Sequence, residues 1–138
     1  MKKILLLLLC TVTLGLVSCE KQQVIQDTPN RTVIMYIEPN QWIQSPDGAN
    51  FTSELNVPEI DRLNVDIEGI LVYIDHPVNI NSYIQLPYVY SGNAYSYEHF
   101  NGGIAIDIQR AQYSTQNPVR PVERVRVKIV LIPSADVT

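Results

Sequence analysis

A chain of 138 residues with 14 Asp and Glu against 10 Lys and Arg carries a net charge of −4. It therefore lacks the basic surplus that a nucleic-acid partner requires. Its length suits one domain with its own core. Only 2 cysteines are present, and the segment that holds them leaves neither for a disulfide or a thiolate-bound metal.

Met1-Lys2-Lys3 is a short basic start, and residues 4–17 form an apolar run diluted by Thr11, Thr13 and Gly15. A spanning helix needs about 20 mostly apolar residues, so these 14 fall short. They match the apolar core of a secretion signal, about 7–15 residues long. Leu16-Val17-Ser18-Cys19 closes the run with the Leu-x-small-Cys form of a bacterial lipobox. Cleavage before Cys19 would make residues 1–18 a lipoprotein signal peptide and leave Cys19 acylated on its sulfur and amine. Each acyl CH₂ buried in lipid contributes about 0.8 kcal/mol, so several chains make a durable anchor. The expected location is the outer membrane, with the periplasmic and cell-surface faces both open. Cys10 leaves with the signal and the Cys19 sulfur is blocked. Loss of Lys2 and Lys3 takes the net charge from −4 to −6 over the remaining 120 residues.

Residues 19–30 are the lipidated cysteine and a polar tether that contains Pro29 and has no sustained periodicity. Fully extended, the 11 residues after Cys19 reach ~36 Å. The domain proper is expected over residues 31–138. Residues 32–37 are β-branched and aromatic and end at Pro39-Asn40, and Ser45-Pro46-Asp47-Gly48 is a turn signal. Phe51, Ser53, Leu55 and Val57 fall on one side of a second strand. Residues 58–63 could make one helical turn. Residues 69–74 are apolar on both faces, which predicts a central strand buried by two layers.

Pro87 breaks residues 82–90, as suits an edge or a bulge. Ser91-Gly92-Asn93 and Asn101-Gly102-Gly103 are turns flanking a strand over residues 95–100. Ile104, Ile106 and Ile108 alternate with Ala105, Asp107 and Gln109. In the last strand Val125, Val127, Ile129 and Leu131 point one way, while Arg124, Arg126 and Lys128 form a basic stripe on the other. That stripe reads as a solvated sheet face whose long stems cover apolar surface, or else as a docking surface for an anionic partner. Seven or so short strands at regular spacing, with Gly, Pro and Asn between them, predict an all-β chain: an antiparallel two-sheet β-sandwich, immunoglobulin-like.

Val57-Pro58-Glu59-Ile60, residues 69–74, Leu86-Pro87-Tyr88 and residues 125–133 occur in that order. The set resembles a group of small lipoproteins and surface proteins of the Bacteroidota whose function is unknown, over most of residues 31–133. The resemblance implies a β-sandwich and a Gram-negative envelope. It lends no activity and no functional residue.

Chemistry-bearing patterns are sparse. His76 and His99 have no second His or Cys at ligand spacing, so no metal residue is assigned. Asp61, Asn64, Asp66 and Glu68 alternate with apolar residues and could begin a calcium site, although buried Val65 and Ile67 explain the alternation equally well. No Gly-x-Ser-x-Gly elbow or cysteine nucleophile is present, so no catalytic residue and no cofactor is assigned.

Tyr83, Tyr88, Tyr90, Tyr95 and Tyr97, with Trp42, are the candidate ligand-binding residues, since aromatic rings offer flat apolar area with a polar tip. Cross-strand packing accounts for such tyrosines equally well. The expected role is a non-catalytic binding or scaffolding module for a glycan or an envelope protein. A purely structural lipoprotein, or a cryptic hydrolase using surface carboxylates, is the alternative. Cys19→Ala is expected to abolish acyl labelling and release the protein from the membrane fraction; retention of the variant in that fraction would sink the anchor.

Overall fold

The computed structural model describes residues 28–137 apart from Ile80 and Tyr113, so the signal segment, Cys19 and most of the tether lie outside the described residues. The chain forms β1 (Arg31–Ile37), β2 (Ile43–Gln44), β3 (Asn50–Asn56), a single turn α1 (Asn64–Ile67), and β4 (Gly69–Asp75). It continues through β5 (Tyr83–Gln85), β6 (Tyr88–Tyr90), β7 (Asn93–Phe100), β8 (Gly103–Arg110) and β9 (Val125–Ile132). One sheet has the order β1-β9-β4-β5 and the other β2-β3-β8-β7-β6, with every pairing antiparallel. The chain changes sheet between β1 and β2, β3 and β4, β5 and β6, and β8 and β9. Two antiparallel sheets sharing one core make a β-sandwich.

Side-chain alternation decides what lies between the layers. Ile104, Ile106 and Ile108 of β8 are fully buried, as are Val127, Ile129 and Leu131 of β9. Val72 of β4 joins them from one sheet, and Leu55 of β3 from the other. Val57 and Ile60, in the β3–β4 connection, have no exposure and plug one end of the sandwich. The β7–β8 turn holds that plug, because Val57 N donates to Gly102 O at 2.8 Å and Gly102 N to Ile60 O at 2.6 Å. Gly103 follows directly, and a Cβ there would lie 2.5 Å from Leu55 O, so only glycine fits. At the β6–β7 hairpin Ser91 and Gly92 both adopt positive φ, 48° and 80°, as a two-residue loop with the right twist demands.

Four expectations need correction. Residues 82–90 do lie at an edge, as Pro87 suggested, but they make two edge strands in place of one, with no bulge. They divide at the cis Leu86–Pro87 bond into β5 in one sheet and β6 in the other. The helical turn lies at Asn64–Ile67 and not at residues 58–63, because Val57 and Ile60 are drawn into the core. Asp61 Oδ1 then accepts from the N–H groups of Leu63 and Asn64 at the start of the turn. The last strand, at 8 residues, is matched by β7 and β8. Finally, β4 is central in its sheet but covered by a second layer on one face only. Its outward Leu71 and Tyr73 are half-buried, with Lys128 lying over the Tyr73 ring.

Ile106 sits at the centre of this arrangement. Ile106→Ala is expected to lower unfolding free energy by about 2–5 kcal/mol, and Ile106→Asp to leave no cooperative transition, because an unpaired buried charge costs several kcal/mol. Denaturant melts followed by far-ultraviolet circular dichroism check both.

Candidate functional site

The five tyrosines do not form one surface. Tyr83 lies on the outer face of the four-stranded sheet, where Arg126 and Lys128 stand over its ring at 4.5 and 4.7 Å. The other four share the inner side of the five-stranded sheet. Tyr95 is buried, and Tyr88, Tyr90 and Tyr97 are packed against the core. Their position follows from sheet size: β5 is only three residues long, so the opposing layer ends early and the rings close the flank. Tyr88 and Tyr90 are stacked, centroids 6.3 Å apart at 11°, and the His76 ring meets Tyr90 edge-on at 5.4 Å. Tyr97 spans the layers, its hydroxyl donating to Ile70 O of β4 at 2.6 Å.

The basic stripe is built as a covered sheet face. Arg126 pairs with Asp75 at 3.0 Å, and that hydrogen bond holds its guanidinium above the ordinary value against partial burial. Arg124 pairs with Glu38 at 2.7 Å and stands over the Tyr36 ring at 5.3 Å. Lys128 rests over Tyr73 at 4.3 Å. Two of the three cations are thus matched by carboxylates, and the third lies on aromatic rings. This leaves little net positive field for an anionic surface.

A cleft of about 430 Å³ opens at the end of the sandwich opposite the Val57–Ile60 plug. This is in the range of small-ligand sites, roughly 300–1,000 Å³. Its floor is Trp42, Ile74 and Tyr95, and its other walls are Asp75 to Pro77 after β4 and Val119 to Val125 leading into β9. Trp42 is the chain's only tryptophan and is 4% exposed, so it is a core residue and not an open platform. Its Nε1–H, like Arg31 Nε and Ser53 Oγ, is buried with no hydrogen-bond partner among the described residues, which costs free energy.

The rim is apolar. Val119 and Val122 are 65% and 84% exposed, and Ile43 and Val78, next in sequence to the lining Trp42 and Pro77, are also exposed. Within the cleft His76 is oriented by its own loop. Its Nδ1 accepts from Val78 N and Asn79 N, both at 3.1 Å, which assigns the proton to Nε2 and makes that edge a donor. Asp75 is committed to Arg126 through Oδ1 to Nε at 3.1 Å and Oδ2 to the backbone N–H at 3.2 Å. Of the candidate ligand-binding residues the cleft takes Trp42 and Tyr95, and it includes His76; its remaining walls come from separate stretches of chain that no sequence pattern marked. The one available signal was aliphatic Val119 and Val122 flanking Pro121.

The calcium candidates are dispersed. Asp61 caps α1. Glu68 accepts two hydrogen bonds from Arg31, at 2.7 and 2.6 Å, and Asp66 is exposed. The alternation of residues 64–68 is interrupted by a helical turn, so it does not aim three oxygens at one point. Among the described residues no group of three His, Cys, Asp or Glu could hold a metal, and no helix is long and apolar enough to cross a membrane. His99 is exposed on β7, away from His76. No family model, curated protein or solved structure matches the chain.

Burial holds the hydroxyls of Tyr95 and Tyr97 above the ordinary tyrosine range. A phenol with a raised folded pKa contributes stability that is complete below its unfolded value and is lost as pH rises through the folded one. The domain is therefore expected to weaken above about pH 10. Tyr97→Phe should shrink that alkaline loss while costing about 1 kcal/mol at neutral pH for the bond to Ile70 O. Denaturant melts at neutral and alkaline pH check the pair; an unchanged alkaline loss in the variant would refute it.

Proposed function

We propose that the chain is a lipid-anchored protein of the bacterial outer membrane whose sandwich is a non-catalytic binding or scaffolding module, with a glycan or an envelope protein as ligand. The observation that carries the reading is the Trp42 cleft: an aromatic floor, and a rim where exposed Val119 and Val122 stand among Arg120, Glu123 and Arg124. A ligand with an apolar body would cover the exposed valines of the rim, which favours a protein partner over a sugar. The cleft lies at the end of the sandwich away from Arg31, where the tether joins, so a ligand reaches it without passing the anchor. The lipobox at Leu16-Val17-Ser18-Cys19 and the resemblance to Bacteroidota envelope proteins support the location.

A binding role fits the cleft better than catalysis does. Asp75 and His76 are both tied into structural hydrogen bonds, and no lining hydroxyl or thiol forms a nucleophile–base pair with them. We also read the topology as immunoglobulin-like. Supporting this, β2-β3-β8-β7 match the A-B-E-D order and β4-β9 the C-F pair, with β1 in the place of the last strand and β5 added beside β4. The inward packing of Tyr88, Tyr90, Tyr95 and Tyr97 favours a second reading, a purely structural lipoprotein.

Trp42 makes the test direct, since emission from the only tryptophan reports on the cleft. Ligands drawn from a glycan array and an envelope pull-down are expected to shift that emission. Val122→Ser and Arg120→Ala should weaken binding by about tenfold each, whereas Tyr88→Ala and Tyr90→Ala report on the neighbouring flank. A chain that captures nothing, or binding that neither cleft substitution alters, would hand the case to the structural reading.

A further inference from the structure

The four edges of this sandwich are not treated alike. A sheet edge exposes unpaired N–H and C=O groups and invites another strand unless it is short, charged or interrupted by proline. Three edges meet that condition: β2 has 2 residues, and β5 and β6 have 3 each on either side of Pro87. The fourth, β1, has 7 residues, none of them proline, and its one charge, Arg31, sits at the end and is held by Glu68. All seven pair with β9 on one side, from Arg31 opposite Leu131 to Ile37 opposite Val125. On the other side no strand of the described residues pairs with it. The outward side chains of this edge include Ile34 and Tyr36, 53% and 49% exposed.

We infer that β1 pairs antiparallel with β1 of a second copy of this chain, about a two-fold axis through Ile34. The strand is self-complementary in that register. Ile34 faces Ile34 on the outer side, flanked by Thr32 facing Tyr36. Val33 faces Met35 on the inner side, and Arg31 faces Ile37. Apolar meets apolar at the centre, and no charge meets its like. The pairing joins two four-stranded sheets into one of eight strands, β5-β4-β9-β1 continuing into its two-fold image, and removes the only long open edge among the described residues. It is independent of what the Trp42 cleft binds.

Ile34 is a suitable place for the test, because its outward, half-exposed side chain can be charged without disturbing the core. The full chain is released from detergent micelles and its stoichiometry read by native mass spectrometry. The wild type is expected as a dimer. Ile34→Lys and Ile34→Glu each place like charges on the axis and should weaken association by about tenfold or more. Mixing the two variants should restore a one-to-one heterodimer, an outcome that misfolding would not produce. A monomeric wild type would leave the edge to a strand of another protein and overturn the pairing. So would dimers that survive either substitution, or a mixture that stays monomeric while both variants keep the wild-type circular dichroism.

Discussion

Three isoleucines of β8, at 104, 106 and 108, and Val127, Ile129 and Leu131 of β9 are shut off from water. The rest of the molecule depends on keeping the two sheets closed over them. Because the side-chain period of a strand is two, burying those positions fixes the outward set as well. A slip of one residue in β9 would drive Arg126 and Lys128 into the core, so the register is strongly specified. The same constraint makes the outer face of the four-stranded sheet. Arg126, Lys128, Tyr73 and Tyr83 stand there because their neighbours face inward; cation–π contacts join them, and Asp75 pairs with Arg126. A positive C-terminal end can therefore arise from strand geometry with no anionic partner in view.

The features that were legible in the sequence are those carried by local period. The alternation of β8 and β9, the one-sided burial of Ser53, Leu55 and Val57, and the turns at Gly48, Gly92 and Gly102 all depend on neighbours within a few residues. What sequence did not disclose depends on the opposite sheet. Leu86-Pro87 looks like a flaw in one strand, yet it is where the chain passes from one layer to the other. Residues 69–74 look doubly buried, yet the outer face of β4 is covered by the Lys128 stem and not by a layer. The short β2 has no period to read, having only two residues.

The candidate site was less legible still, for the same reason. Five tyrosines within fifteen residues suggest one aromatic surface, but sheet switching separates Tyr83 from the others, and alternation turns Tyr88, Tyr90, Tyr95 and Tyr97 toward the interior. Trp42 stands alone in sequence, yet the fold places it beneath His76 and the segment 119–125 as the floor of the cleft. Its unpartnered indole N–H is one of three such buried groups among the described residues, with Arg31 Nε and Ser53 Oγ, so it does not by itself mark the cleft.

If the chain is lipid-anchored and pairs through β1 as proposed, the two would make opposing demands on orientation, and chain length would reconcile them. A single anchored copy can stand with β1 along the membrane normal, Arg31 nearest the lipid and the cleft farthest from it. An antiparallel pair cannot stand that way, because it would put one copy's Arg31, and so its tether, at the top. Seven residues of strand span about 23 Å, whereas the 11 residues after Cys19 extend to ~36 Å. Both tethers can thus reach one leaflet if the paired strands lie along the surface. The clefts then face sideways in opposite directions, each still open and about a strand's length from its own tether. Pairing through β1 would therefore trade a ligand site held far from the membrane for two sites close to it, better suited to a partner that is itself embedded there.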